Sequence, residues 1–432
     1  MPLNLLIIIS QYHPAQTPNT IRWAALIDHY FKQGHNISVL TTKRKGYPLK
    51  GELKGIKIFR AGYNTLQDYL SDILGSKTRR NEVGQSNNNY RPHVMKSIVE
   101  KIVNQTWRKT YWPDGSKLFL KPGIHLAQEI VDTENITHII SVGLPFTCHL
   151  IAQSIKRKNK AIHWHMDIED PFSYSKEFWV NNFKRYEKKN LKAERTAFEI
   201  ADTISLTNEI AKQRYDDLFF FPEKTKVIPP LFAPYKNIPF SIPLDKEKIH
   251  LGYFGSFYTG VRSPLSFLKF LKALDEKDPS LKSKIQFHFF GQQNKFSYPI
   301  FKAFPELQAY YILHGFYERD HSISAMKKMD YLINFGNSTD YHLPSKAVDF
   351  LYLKKPLVNF TSIENDAVRL FLKNYPQLLN VHLNGNESNE TGAFFNFIFD
   401  KESKGSGEEN LVEKYKTEAV ATLYLNCLNS TH

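Results

Sequence analysis

The feature that most constrains the fold of this chain is an alternation, run through twice, of short β-branched apolar runs and helix-period segments joined by polar loops. An apolar run at Leu5–Ile9 passes through Ser10–Thr20 into a helical segment over Ile21–Lys32, Gly34 stands where a helix stop is expected, and Asn36–Thr42 follows as a second strand. That is one βαβ unit, whose strands run parallel because the helix carries the chain back to the end where the first strand began, in the right-handed sense such crossovers take. Ile56–Arg60, Thr137–Val142 and Lys160–Met166 read as further strands, with a helix over Phe146–Lys156. The alternation restarts after the proline-bearing stretch Pro229–Pro243, which reads as a linker. Ile249–Ser256, Ile285–Phe290, Tyr311–Gly315, Tyr331–Phe335 and Pro356–Phe360 are then the strands, and Pro264–Leu274, Ser322–Lys328 and Ser345–Leu353 the helices. A last amphipathic helix runs from about Glu408 to Leu428.

The expectation is an α/β fold of two Rossmann-like domains and a C-terminal helix. The N-terminal domain spans 1–235 with an insertion at about 64–124, the C-terminal domain spans 245–405, and the helical tail 406–432. A chain of 432 residues is too long for one ordinary core and suits two, which implies a cleft between them. In both halves the strand-to-helix loops fall at the carboxyl edge of a parallel sheet, where open α/β sheets bind ligands.

Composition excludes several classes. Cys148 and Cys427 are the only cysteines and lie in neither a zinc spacing nor a disulfide framework. The apolar N-terminal run is too short for a signal peptide, and no stretch is long enough to span a membrane, so a cytoplasmic location is expected. The 57 Lys and Arg against 43 Asp and Glu give a net charge of +14, which asks for an anionic partner: nucleic acid, an anionic membrane face or a phosphorylated substrate. No nucleic-acid motif is present, so no nucleic-acid partner is expected. Between Tyr63 and Ile124, basic residues including Lys77, Arg79, Arg80, Arg108 and Lys121 interleave with Tyr69, Tyr90, Trp107, Tyr111 and Trp112. Such a segment suits peripheral contact with the inner face of the cell membrane, or else a solvated insertion whose aromatics pack inward.

Two constellations carry candidate chemistry. In Gly252–Arg262, glycines let a turn approach a diphosphate while Arg262 supplies charge-assisted hydrogen bonds. Ser345 and Lys346 open a helix whose free N–H groups suit a phosphate, with Asp349 one turn on. In the first half, His163, His165, Asp167, Glu169 and Asp170 form a polar patch at a strand end. Alternation puts His163, His165 and Asp167 on one face, opposite Ile162, Trp164 and Met166, so that face is expected to line the cleft. Metal binding by the His-x-His pair is the rival reading.

The order of these motifs resembles the family 4 glycosyltransferases, retaining enzymes of GT-B architecture, especially those that build bacterial surface polysaccharides. Tyr12-His-Pro-Ala with Asn19-Thr-Ile-Arg22 is similar to the family's first βαβ unit, and Asp167-Ile-Glu-Asp-Pro-Phe172 to an Asp-x-Arg-Asp-Pro-Trp sequence of one branch. Ala201–Glu209 and Val227-Ile-Pro-Pro resemble the segments that lead into the linker, and His314-Gly-Phe-Tyr317 the loop that flanks the nucleotide base. The resemblance implies a hexosyl or related transferase that takes a nucleotide sugar and adds its sugar to a glycan, lipid-linked or other acceptor hydroxyl, with no metal or other cofactor. It implies donor binding by Gly255, Ser256, Arg262, Gly291, Gly315, Phe316, Ser345, Lys346 and Asp349, a cleft or acceptor loop with Asn19 and Arg22, and catalytic roles for His165, Asp167 and Asp170. The chain departs from the family's paired-Glu motif, with Tyr341 at the first position and Asp349 at the second, and Lys354 replaces the Gly before Pro356. A non-catalytic scaffold of the same fold and a nucleotide-sugar epimerase of GT-B fold stay as alternatives.

Overall fold

The computed structural model describes residues 2–73, 107–175, 177, 180–239, 242–383, 385, 387–400 and 411–430. It divides into two units, one of Met1–Arg79, His93–Ala233 and Tyr415–His432, the other of Arg80–Pro92 and Pro234–Lys414. The cluster from Lys77 to Lys101 and the start of the last helix at Glu408 lie outside the described residues.

Unit 1 is built on an eight-stranded sheet of order β3-β4-β2-β1-β5-β6-β7-β8. The strands are β1 (Asn4–Ile8), β2 (Asn36–Thr42), β3 (Lys50–Leu53), β4 (Ile56–Ala61), β5 (His138–Gly143), β6 (His163–Ile168), β7 (Thr203–Leu206) and β8 (Thr225–Val227). All pairs are parallel except β3 with β4. β3 is a short edge strand with no buried residue, so it has no apolar period to read in the sequence. Helix α1 (Pro18–Lys32) starts earlier than its apolar period because Thr17 caps it, accepting from Thr20 N–H, and Pro18 suits the first turn. Gly34 has φ +87, the left-handed conformation that ends the helix.

Other helices of unit 1 are α2 (Leu66–Ile73), α3 (Lys117–Thr133), α4 (Thr147–Lys158), α5 (Phe183–Ile200) and α6 (Glu209–Phe219). The last helix of the chain, Thr417–Leu428, also belongs to this unit. It buries Val420, Ala421 and Tyr424 in one core with Trp23, Ile27 and Tyr30 of α1 and Leu5 and Ile7 of β1. The Trp23 and Tyr424 rings lie 5.0 Å apart, and the Tyr30 hydroxyl donates to Ala421 O at 3.1 Å. Of the aromatic residues of the insertion, Tyr111 is buried and Trp112 donates from Nε1 to Asn190 at 3.0 Å, so both pack inward.

Unit 2 has a six-stranded, all-parallel sheet of order β11-β10-β9-β12-β13-β14. Its strands are β9 (Ile249–Phe254), β10 (Ile285–Phe290), β11 (Tyr311–Gly315), β12 (Tyr331–Phe335), β13 (Leu357–Thr361) and β14 (Leu378–His382). Its helices include α7 (Leu265–Lys277), α8 (Ser297–Lys302), α9 (Arg319–Lys328), α10 (Lys346–Leu353), α11 (Ala367–Phe371) and α12 (Glu387–Phe399). The core is aromatic: Phe267 of α7 meets Phe287, Phe289, Phe335 and Phe360 with ring centres 5.1 to 5.8 Å apart. Strands buried on both faces read as continuous apolar runs, which is why the sequence shows β9, β10, β12 and β13 and not the half-buried edge strand β14. Both units therefore have the expected Rossmann-like form.

Candidate functional site

In each unit the chain leaves its first strand toward one side of the sheet and later returns on the other. The reversal lies between β1 and β5 in unit 1 and between β9 and β12 in unit 2. Loops at the carboxyl ends of those strands diverge and leave a crevice.

In unit 1 that crevice is a cavity of 370 Å³ lined by Ile9, Ser10 and Gln11 after β1, Thr17 and Asn19 at the start of α1, Leu144 and Pro145 after β5, and Asp170 after β6. Asn64, Tyr111, Asp114–Ser116 and Val180 complete it. Its walls are fastened from behind. Asp114, buried, accepts from Ser116 N–H at 2.9 Å and from the Thr147 N–H and hydroxyl at 2.9 and 2.8 Å, tying the turn to the start of α4. Glu194, buried on α5, accepts from Ser173 N–H at 2.9 Å and the Tyr215 hydroxyl at 2.7 Å, fixing the segment that follows Asp170. Burial raises the Asp170 carboxyl to about 6.

The structure corrects the expected setting of the other first-half residues. His165 and Asp167 are buried, and the face they share is covered by the last helix. His165 bonds Thr203 Oγ1 at 2.8 Å and Ser205 Oγ at 2.9 Å, and burial lowers it to about 4, so it is neutral. Asp167 accepts from Trp23 Nε1 at 3.0 Å, Ser205 Oγ at 2.6 Å and Tyr424 Oη at 2.7 Å. Arg22 lies inside α1 and not in a loop; it pairs with Glu169 at 3.0 Å and Asp167 at 3.8 Å and donates to the Tyr424 hydroxyl. Burial, reinforced by the Asp167 and Asp170 carboxylates, pushes Glu169 up against the pull of Arg22. Alternation sorted the two faces correctly, but only the tertiary fold could bring a helix from the end of the chain over the polar one. Of the first-half candidates, Asn19 and Asp170 reach the cavity.

In unit 2, Gly255 and Ser256 open the loop after β9, and it closes through a tight turn in which Tyr258 and Arg262 exchange backbone hydrogen bonds at 3.1 Å. Gly260 supplies the required positive φ, +77. A side chain at Gly291, at the end of β10, would overlap Gly255 O, so glycine is what lets the two loops touch. The loop after β12 is strapped to the same turn, as Ser338 N–H donates to Val261 O at 2.7 Å and its hydroxyl to Gly260 O at 2.6 Å.

Arg262 Nη1 lies 3.4 Å from the Tyr253 hydroxyl, while its Nε is buried with no hydrogen-bond partner. Lys346 opens α10, where Ser345 makes no side-chain cap, leaving the first N–H groups of the helix unbonded to it. Burial lowers the Lys346 ammonium; Asp349 opposes that shift, and Arg319 and Arg262 add to it. Arg319, which no sequence motif marks, pairs with buried Asp349 at 3.1 Å. Arg319 and Lys346 thus share one carboxylate while Arg262 acts on Lys346, an excess of positive charge that suits an anion. Lys354, standing where the family has Gly, adopts φ +51 at the end of α10.

At the other edge of this site, Gly315 has φ +79 and Phe316 is 41 % exposed. Beneath them runs a chain of three histidines across adjacent strands: His250 Nδ1 to His288 Nε2, and His288 Nδ1 to His314 Nε2, each 2.8 Å. His250 Nε2 meets Asp245 O at 2.8 Å. A carbonyl can only accept, so His250 carries its proton on Nε2 and the other two follow in the same tautomer. Among the described residues no group of three or more His, Cys, Asp or Glu is arranged to hold a metal ion.

No protein-family model and no curated protein matches the sequence. Solved structures do match along the full length. Sucrose-phosphate synthase from Thermosynechococcus elongatus is 12% identical, with 98% of each chain covered and a TM-score of 0.62. The α,α-trehalose-phosphate synthase (UDP-forming) of Burkholderia xenovorans, in complex with glucose-6-phosphate, is 10% identical, covering 99% of this chain and 100% of its own, at 0.62. A variant of S. aureus TarM, in complex with fondaparinux, α-GlcNAc-glycerol and UDP, is 11% identical over 100% of both chains, at 0.61. These neighbours are GT-B glycosyltransferases, and the chain has their α/β fold of two Rossmann-like domains.

Proposed function

We propose that this chain is a glycosyltransferase which moves a sugar from a nucleotide-sugar donor to an acceptor hydroxyl, with unit 2 holding the donor and unit 1 the acceptor. The observation that carries the reading is Arg262, whose Nε is buried and unpartnered at the switch point of the second sheet and whose charge, like that of Arg319, acts on Lys346. A diphosphate is the anion that would satisfy such a group together with the start of α10. Gly255, Ser256 and Gly291 would let the backbone approach it, and Gly315 and Phe316 would flank the base. The resemblance in motif order to family 4, and the GT-B neighbours, support the same assignment.

In the finer reading the transfer is retaining and serves surface polysaccharide or glycoconjugate synthesis. The bond from the anomeric carbon to the diphosphate oxygen breaks, and the acceptor oxygen bonds to that carbon on the same face. The acceptor proton passes to a diphosphate oxygen, and the cations stabilise the departing charge. Asp170 belongs to the acceptor side, while His165 and Asp167 act as positioning residues through β6. Asp349 serves by orienting Arg319 and, through its second oxygen, a ribose hydroxyl.

A thermal-shift panel of nucleoside diphosphates and their sugars tests this, since a ligand that binds only the folded state raises the melting temperature by mass action. At least one diphosphate should raise it. If none does, the scaffold alternative takes over; turnover of a nucleotide sugar with no acceptor present would favour the epimerase.

A further inference from the structure

The cavity of unit 1 bears on what the acceptor can be, an inference that rests on the transferase reading above. The chain carries a net charge of +14, yet among the described residues no Lys, Arg or His lines this cavity. Arg22, three residues past Asn19, is buried and already engaged by Glu169 at 3.0 Å. The charged groups on the lining are both acidic, Asp114 and Asp170, and the neutral polar ones include Gln11, Asn19, Asn64 and Ser116. Ile9, Leu144 and Pro145 add apolar surface.

We propose that this cavity takes an uncharged, polyhydroxylated unit, a neutral glycosyl or polyol group, and rejects sugars that carry phosphate or carboxylate. A carboxylate such as Asp170 accepts from sugar hydroxyls, carboxamides both donate to them and accept from them, and the apolar patch suits the C–H face of a ring. A phosphate entering here would lose hydration, meet no cation among the described lining residues, and sit beside two carboxylates. Asp114 enforces this from a fixed position, since three protein donors hold its two oxygens. The volume, 370 Å³, lies within the range of small-ligand pockets.

The test uses the full chain and saturation-transfer NMR with methyl glycosides of glucose, galactose and N-acetylglucosamine, against glucose 6-phosphate and glucuronate at equal concentration. At least one neutral glycoside should bind and neither anionic sugar should. Asn19→Ala and Asp170→Asn should each weaken the neutral ligand by about tenfold. Asn19 sits on the first turn of α1 at the cavity, so its variant keeps the core intact and serves if Asp170→Asn folds poorly. Binding of an anionic sugar as tight as the best neutral one, no neutral binding at all, or neutral binding unchanged in both variants would overturn the proposal. Nucleoside-diphosphate binding is followed in the same samples. Its loss would sink the transferase reading and leave the cavity result standing, whereas diphosphate binding with anionic-sugar preference would sink this inference alone.

Discussion

The Tyr424 hydroxyl, on the last helix, donates to Asp167 Oδ1 at 2.7 Å, although 257 positions separate the two residues. Both are buried, and the bond joins the C-terminal helix to the end of β6. Removing one partner of a buried charged hydrogen bond leaves the other desolvated, at a cost of about 1–3 kcal/mol. Tyr424→Phe should therefore lower stability by about that amount, read as a drop in the denaturant midpoint with unchanged slope. An unchanged midpoint would mean that the last helix is held by its apolar contacts alone.

Burial and two arginines lower the Lys346 ammonium, with Asp349 opposing them. Lys346→Met should leave the free protein as stable as before or more so, and weaken nucleoside-diphosphate binding by roughly tenfold, the worth of one charge-assisted bond. Arg262→Ala should weaken binding similarly. Diphosphate affinity unaltered in both variants would remove the donor site from this part of unit 2.

The three-histidine chain predicts a pH dependence. Protonating His288 would place an N–H against the Nε2–H of His314, two donors facing each other, and burial already lowers these groups to about 3 and about 4. Buried His165 is lowered to about 4 in the same way. With folded values below the unfolded one near 6.5, the unfolded chain binds more protons in between. Stability from these groups is thus complete above about pH 6.5 and falls as the pH drops toward 4, by up to about 1.4 kcal/mol per pH unit for each histidine. Melting temperature against pH for wild type and His288→Gln should show a shallower acid limb in the variant, and ring-nitrogen NMR should find Nε2–H tautomers at neutral pH.

Lys354 sits at φ +51 at the carboxyl end of α10, a conformation that penalises a side chain. Lys354→Gly should stabilise the protein by about 0.5–1 kcal/mol, read as a small rise in melting temperature. A loss of stability would show that the lysine stem earns more by packing than its backbone loses.

The sequence by itself determined the central parallel strands of the two sheets, because strands buried on both faces announce themselves as apolar runs and the helices between them keep a 3.6-residue period. It also marked the glycine turn with Arg262 after β9 as a candidate diphosphate loop, while Gly291 is named only by the family resemblance. Local periodicity could not show that the face of β6 bearing His165 and Asp167 is closed by Tyr424, nor that Arg319 meets Asp349 at 3.1 Å. Those contacts join residues 257 and 30 positions apart, respectively. Which polar groups spend their charge inside the protein was decided only when the chain folded back on itself, because burial and pairing are properties of neighbours in space.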